Sequence, residues 1–203
     1  MHPLSSWPCA ERRPLVGVFT DIDDALQALA QLQAAGLTVI AITGRPVGWS
    51  EPFAACWPVD AIVAENGSIA LIPGYFMDEN GLQPPSLLRE SLSKLYQQDD
   101  ATRAIHCARM QLVAQRVLRE MPGTTLAQDS PGRETDIAID HSEFTHLPPD
   151  RIAQVGHILH SEGVANIRRF EAERTHPARY LTQGERGAGF AEVAHAILEA
   201  RRT

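Results

Sequence analysis

Lysine is almost missing from this chain: there is one, Lys94, against seventeen arginines. Cysteine is nearly as scarce. Cys9, Cys56 and Cys107 are the full set, and no C-x-x-C or other metal spacing links them. That excludes a zinc-ribbon site and argues against a disulfide framework. The reading is a reduced, cytoplasmic protein. Positive charge is also short, with 18 Lys and Arg against 25 Asp and Glu and a net charge of -7. Such a chain has no basic field to draw in nucleic acid or an anionic membrane, so neither is expected as a partner. No long apolar run exists. Residues 25–44 carry no charge, but Gln27, Gln31, Gln33 and Gly36 interrupt them and the periodicity changes midway, which excludes a membrane span. The opening "MHPLSSWPCAERRP" lacks the apolar core of a signal peptide. No repeat and no low-complexity tract is present.

What remains is ordinary globular material, 203 residues with 44% hydrophobic content, enough for one domain or a core with a modest second lobe. Residues 15–20, 37–42 ("LTVIAI") and 61–64 ("AIVA") read as short buried strands. Between them, 24–35 reads as a helix with Leu26, Leu29 and Leu32 on one face and Gly36 past its end, and a shorter helix follows Pro46 as far as Trp57. Residues 68–72 form a fourth strand, placed to hairpin back on the third through "ENG". Alternating strands and helices at this spacing predict an α/β fold with a doubly wound, parallel, Rossmann-like sheet. Further on, 73–85 reads as a hinge, 100–121 and 149–160 as helices, 135–139 ("TDIAI") as a half-buried strand, "ARYLT" as a strand and 188–201 as a closing helix. The domain reading is a core of 1–80 and 161–203, with 81–160 as an inserted α+β cap lobe.

The stretch "PLVGVFTDIDDAL" ends an apolar strand in three carboxylates, Asp21, Asp23 and Asp24. Asp24 suits a helix N-cap. Asp21 and Asp23 fall just past a strand end, where α/β sheets bind ligands. Two carboxylates this close share a proton or hold a cation. With oxygen donors and no His or Cys nearby, the suited ion is Mg²⁺. Beside a phosphate, one aspartate is placed to attack phosphorus and the other to move protons. Thr43, Gly44 and Arg45 end the second strand. The hydroxyl, the amide and the following helix N-terminus suit phosphate oxygens, and Arg45 adds a charge-assisted bond. His141 and His146 have no partners at metal spacing and read as loop histidines. The acidic pairs Asp99-Asp100 and Asp136/Asp140 receive no role.

Together, "VGVFTDIDDAL", "VIAITGRP" and "VAENGSIALI" resemble the haloacid dehalogenase-like (HAD) hydrolases, and in particular their class IIB sugar-phosphate phosphatases, such as mannosyl-3-phosphoglycerate and sucrose-phosphate phosphatases. The tail "GVANI … ARYLTQGERGAGFAEVAHAIL" is similar to the last core segment of that branch. The resemblance implies a Mg²⁺-dependent phosphomonoester hydrolase acting on a small, sugar-like phosphate through an aspartyl-phosphate. Asp21 would be the nucleophile and Asp23 the general acid/base, with both at the metal. Thr43 and Gly44 would hold the phosphoryl group, and Arg45 and Asn66 would face the substrate. Three family features do not match: the flap after the first motif, the lysine that screens the phosphate, and the second acidic motif at the metal. Their lack sustains an alternative, a non-catalytic HAD-fold protein that binds a ligand or partner. A nucleotide-sugar transferase using D-x-D is a weaker rival, because it gives no reason for T-G-R.

Overall fold

Branched apolar runs of four to six residues, spaced by helix-length segments, fold here as the periodicity requires. The computed structural model describes residues 2–21, 26–74, 76–78, 81–83, 92–164, 179–184 and 186–202, apart from the side chains at 19, 21, 76–78, 81–83 and 186. In chain order the elements are β1 (His2–Pro3), α1 (Cys9–Arg12), β2 (Gly17–Asp21), α2 (Leu26–Ala34), β3 (Thr38–Ile42), α3 (Val47–Cys56), β4 (Ala61–Ala64), β5 (Ile69–Pro73), β6 (Phe76–Asp78), β7 (Gly81–Gln83), β8 (Leu92–Tyr96), α4 (Asp100–Glu120), β9 (Thr125–Leu126), β10 (Ile139–Asp140), α5 (Pro149–Ser161), β11 (Tyr180–Leu181) and α6 (Arg186–Arg202).

The main sheet runs β2-β3-β4-β5-β8. Its first three strands are parallel, with Asp21 opposite Ile42 and Ile42 opposite Val63. The α/β, Rossmann-like reading therefore holds. The hairpin through "ENG" also forms, because β5 returns antiparallel with Ala64 opposite Ile69. β8 then adds antiparallel to β5, pairing Leu71 with Lys94. Leu92–Tyr96 lies within the 81–160 span, yet it completes this sheet, buries Ser93 and packs Leu92 and Tyr96 on the main core.

Leu32, Val39, Val47, Ile62, Leu71 and Ile197 are at most 1% exposed and knit α2, β3, α3, β4, β5 and α6 into one core. On α2 the buried face is Ala28, Leu29 and Leu32, and Leu26 is exposed. Residues i, i+1 and i+4 share a helical face, and that face meets β3 and α6. α3 lies against β4, β5 and β8. Its first turn meets another chain segment backbone to backbone: a Cβ on Gly48 would stand 3.1 Å from the Gly132 Cα. A second, smaller apolar cluster joins α4 to α5 through Val117, Met121 and Val155, with Ile139 and Leu159 against it.

The "TDIAI" strand is shorter than its alternation suggests. Only Ile139–Asp140 pairs, antiparallel to Thr125–Leu126. The reason is that the Thr135 N–H is committed elsewhere, to the carboxylate of Glu65. α6 starts before residue 188 and takes Gly187 and Gly189 into its first turns. "GVANI" lies outside the described residues from 165 onward.

Asp140 closes the turn that follows β10. It is 7% exposed and accepts from the N–H groups of Ser142, Glu143, Phe144 and Thr145, at 3.2, 3.0, 3.0 and 2.7 Å. Burial alone would raise this carboxyl, but the four donors outweigh it and hold it down at about 2, against 3.8 ordinarily. A carboxyl depressed on folding stabilises the native state above its unfolded value and loses that contribution as pH falls through its folded value. Urea midpoints of the wild type and Asp140→Asn should therefore differ at neutral pH. The gap should narrow as pH is lowered from 3.8 to about 2.

Candidate functional site

The carboxyl ends of β2, β3 and β4 lie side by side, and each leads into one of the sequence motifs. Asp21 is the last residue of β2, and its Cα partner Ile42 directly precedes Thr43. Adjacent strands run about 4.8 Å apart, so the Asp21 backbone borders the T-G-R turn. The Asp21 side chain and the whole of Asp23 lie outside the described residues.

Thr43 is 7% exposed. Its N–H continues the sheet to Val63 O at 2.9 Å, and its Oγ1 accepts from the Arg45 N–H at 3.1 Å. The turn is laced to the next motif by two backbone bonds, Asn66 N–H to Thr43 O at 3.2 Å and Glu65 N–H to Arg45 O at 3.1 Å. Gly44 faces Asn66 so closely that a Cβ there would stand 2.8 Å from Asn66 Oδ1. The structure thus brings Thr43, Gly44 and Asn66 together. Arg45 points away: its guanidinium is half exposed, 3.8 Å from Asp129 and 5.6 Å from the Trp49 ring centroid.

Glu65, given no role from the sequence, organises this end of the sheet. It is 2% exposed. Its Oε1 accepts from the N–H groups of Val47 (3.1 Å) and Glu134 (2.9 Å), and its Oε2 from Thr135 N–H (2.6 Å) and Thr135 Oγ1 (2.5 Å). Ser68 Oγ also bonds Thr135 Oγ1. The first N–H of α3, that of Val47, belongs to Glu65, whose carboxylate lies at the positive end of the helix. Glu65 and Asn66 have φ of +47° and +57°, and Gly67 follows at +105°. Two successive left-handed non-glycine residues cost about 1–3 kcal/mol each. The four bonds to one carboxylate offset that strain and fix where Asn66 points.

Asn66 Nδ2 donates to Asp136 Oδ2 at 3.1 Å, and Arg133 donates to Asp136 Oδ1 at 2.7 Å. Burial raises the Asp136 carboxyl above its ordinary value, against the pull of Arg133. Arg133, only 9% exposed, is also bonded to Asp129. These groups border a cavity of about 650 Å³. Gly44, Asn66, Asp136 and His141 lie on one side of it, and Met110, Ile152, Val155 and Leu159 of α4 and α5 on the other. His141 Nδ1 is buried and has no hydrogen-bond partner among the described residues. Asp136 and His141 were missed in the sequence because neither sits at a motif spacing; the bond of Asp136 to Asn66 spans seventy residues of chain.

Among the described residues no group of three His, Cys, Asp or Glu side chains is placed to hold a metal. The donors at positions 21 and 23 are carboxylate and carbonyl oxygens, a set that fits a hard divalent cation.

No protein-family model matches the sequence, and no curated protein matches it. Solved structures do. A trehalose-6-phosphate phosphatase related protein aligns over 91% of this chain and 99% of its own, with a TM-score of 0.50 and 10% identity. Protein 0175 of Thermoplasma acidophilum aligns over 77% of this chain with a TM-score of 0.48 and 15% identity, and the chain spans 62% of its length. At such identities the first likeness is one of fold.

Replacing Glu65 with Gln keeps its shape but turns one acceptor oxygen into a donor facing N–H groups. Stability should fall by about 3 kcal/mol, read as a lower urea midpoint at unchanged m-value.

Proposed function

We propose that this chain is a HAD-superfamily phosphatase that hydrolyses a small phosphomonoester at the carboxyl ends of β2, β3 and β4. The observation that carries the reading is the convergence of Thr43, Gly44 and Asn66 beside the last residue of β2, with Gly44 and Asn66 lining a cavity of ligand size. The likeness of fold to a phosphatase-related protein supports it. The core is assigned to 1–80 and 161–203 and the cap lobe to 81–160, with β8 lent to the core sheet. The separate apolar cluster of α4 and α5 supports that division.

In this mechanism Asp21 attacks phosphorus in line with the departing alkoxide, and an aspartyl-phosphate forms. Asp23 gives a proton to the alkoxide, then takes one from the water that cleaves the acyl phosphate. The Thr43 hydroxyl keeps its proton free to donate to a phosphoryl oxygen, because its oxygen already accepts from Arg45 N–H. Gly44 leaves room for close backbone approach. Arg45, half exposed and 3.8 Å from Asp129, is the nearby cation able to swing onto a phosphate. Mg²⁺, held by Asp21 and Asp23, would neutralise phosphate charge during attack. The resemblance implies a sugar phosphate as substrate.

A second reading, a non-catalytic ligand-binding protein, is favoured by one observation. Lys94 does not take the place of the screening lysine, since its ammonium bonds Glu51 at 2.7 Å and Glu134 at 2.6 Å.

The two readings separate in one assay. With Mg²⁺ the protein should release p-nitrophenol from p-nitrophenyl phosphate, EDTA should abolish release, and Asp21→Asn should lower kcat by about 10³-fold or more. No turnover, or an unaltered rate in Asp21→Asn, favours the binding protein. Gly44→Ala should raise KM several-fold, because the new Cβ displaces Asn66. Its cost in stability should stay below about 1 kcal/mol, since the atom it meets ends a mobile side chain.

A further inference from the structure

The cavity beside Asn66 has a chemistry of its own. Its walls are aliphatic: Ile137, Ile139, Ile152, Val155 and Leu159 line it, and none of the described lining residues is Phe, Tyr or Trp. A sugar ring usually rests its C–H face on an aromatic platform and needs a polar partner for each hydroxyl. Here most polar lining groups are already consumed. Glu65 is filled by four donors. Ser68 and Thr135 bond each other. Arg133 is spent on Asp129 and Asp136. Apart from Asn66, which is assigned to the phosphoryl group, two described side chains are left with an open polar atom. Asp136 accepts one bond on each oxygen, from Arg133 and Asn66, and a carboxylate oxygen can accept another. His141 Nδ1 is buried without a partner among the described residues. A polyhydroxylated ligand would bury several hydroxyls unpaired, each weakening binding by about tenfold or more.

We infer that the cavity takes the alcohol half of a phosphomonoester whose carbon body is largely apolar and carries a single hydroxyl or amine directed to Asp136 and His141. This rests on the phosphatase reading above and narrows its substrate class. A body of that kind fills the aliphatic walls, satisfies the one unpaired nitrogen and meets an acidic rather than a cationic pole. The phosphoryl group stays at Gly44 and Asn66, the lining residues that follow the ends of β3 and β4.

Three primary alkyl phosphates with a saturated ring test it: 4-hydroxycyclohexylmethyl phosphate, cyclohexylmethyl phosphate and glucose 6-phosphate. Their leaving groups are alike and their hydroxyl content differs. kcat/KM should fall in that order, with about tenfold or more between the first and the last. Ala138→Phe and Ile152→Phe add bulk to the lining and should erase the preference for cyclohexyl bodies. Asp136→Asn should lower kcat/KM for the hydroxylated ring by a larger factor than for cyclohexylmethyl phosphate. Thermal melts verify that each variant folds, and the second filling variant serves if one does not. Equal or faster turnover of glucose 6-phosphate overturns the inference, as does a preference that survives both filling variants. Binding of the free alcohol 4-(hydroxymethyl)cyclohexanol to Asp21→Asn protein, read by saturation-transfer NMR, separates the two levels. Binding that the filling variants abolish, without turnover of any phosphate, upholds the cavity assignment and sinks the phosphatase reading. Turnover of p-nitrophenyl phosphate without alcohol binding does the reverse.

Discussion

A single buried carboxylate ties this molecule together. Glu65 stands in a strained left-handed turn, and its two oxygens take hydrogen bonds from the first turn of α3 and from residues 134 and 135. A charge that far from water is tolerated only when fully paired. Its pairing draws on segments seventy residues apart. The position of Asn66, and the place where residues 133–136 approach the sheet, both follow from satisfying that one group. The sheet end and the α4–α5 region are therefore coupled by backbone donors more than by apolar contact.

The electrostatics around the site are those of a region with little cation to spare. Arg133 is enclosed by Asp129 and Asp136, and Lys94 by Glu51 and Glu134. Arg45 is the least committed of these cations. Among the described side chains, Arg45 is thus the cation that an arriving anion would meet with least competition. The polar pole of the cavity is acidic by contrast, so the two ends of a bound molecule meet opposite chemistry.

The first four strands of the main sheet were legible because short branched runs leave few alternatives, and "AIVA" at 61–64 is a strand to the residue, whereas Leu92–Tyr96 was not read as one. Strand ends were legible too, which is why Thr43, Gly44 and Asn66 are found together. Three things were not. The buried face of α2 falls on Ala28 rather than Leu26, because tertiary contacts choose which part of a uniformly apolar helix to cover. "TDIAI" alternates like a strand, but a side-chain carboxylate captures its first N–H, that of Thr135. Asp136 and His141 gain their meaning from a cavity assembled out of α4, α5 and two loops, and no local pattern encodes that meeting.

Lys94 has a chemical consequence of its own. Burial lowers its basicity, but the bonds to Glu134 and Glu51 more than reverse this, and the amine is held protonated well above its ordinary range. A protonated amine is no nucleophile. As the only lysine in the chain, it lowers the protein's reactivity at its side-chain amine toward acetyl donors, isocyanates and activated esters. Conjugation chemistry, enzymatic or synthetic, that needs a lysine must first break the ion pairs with Glu51 and Glu134.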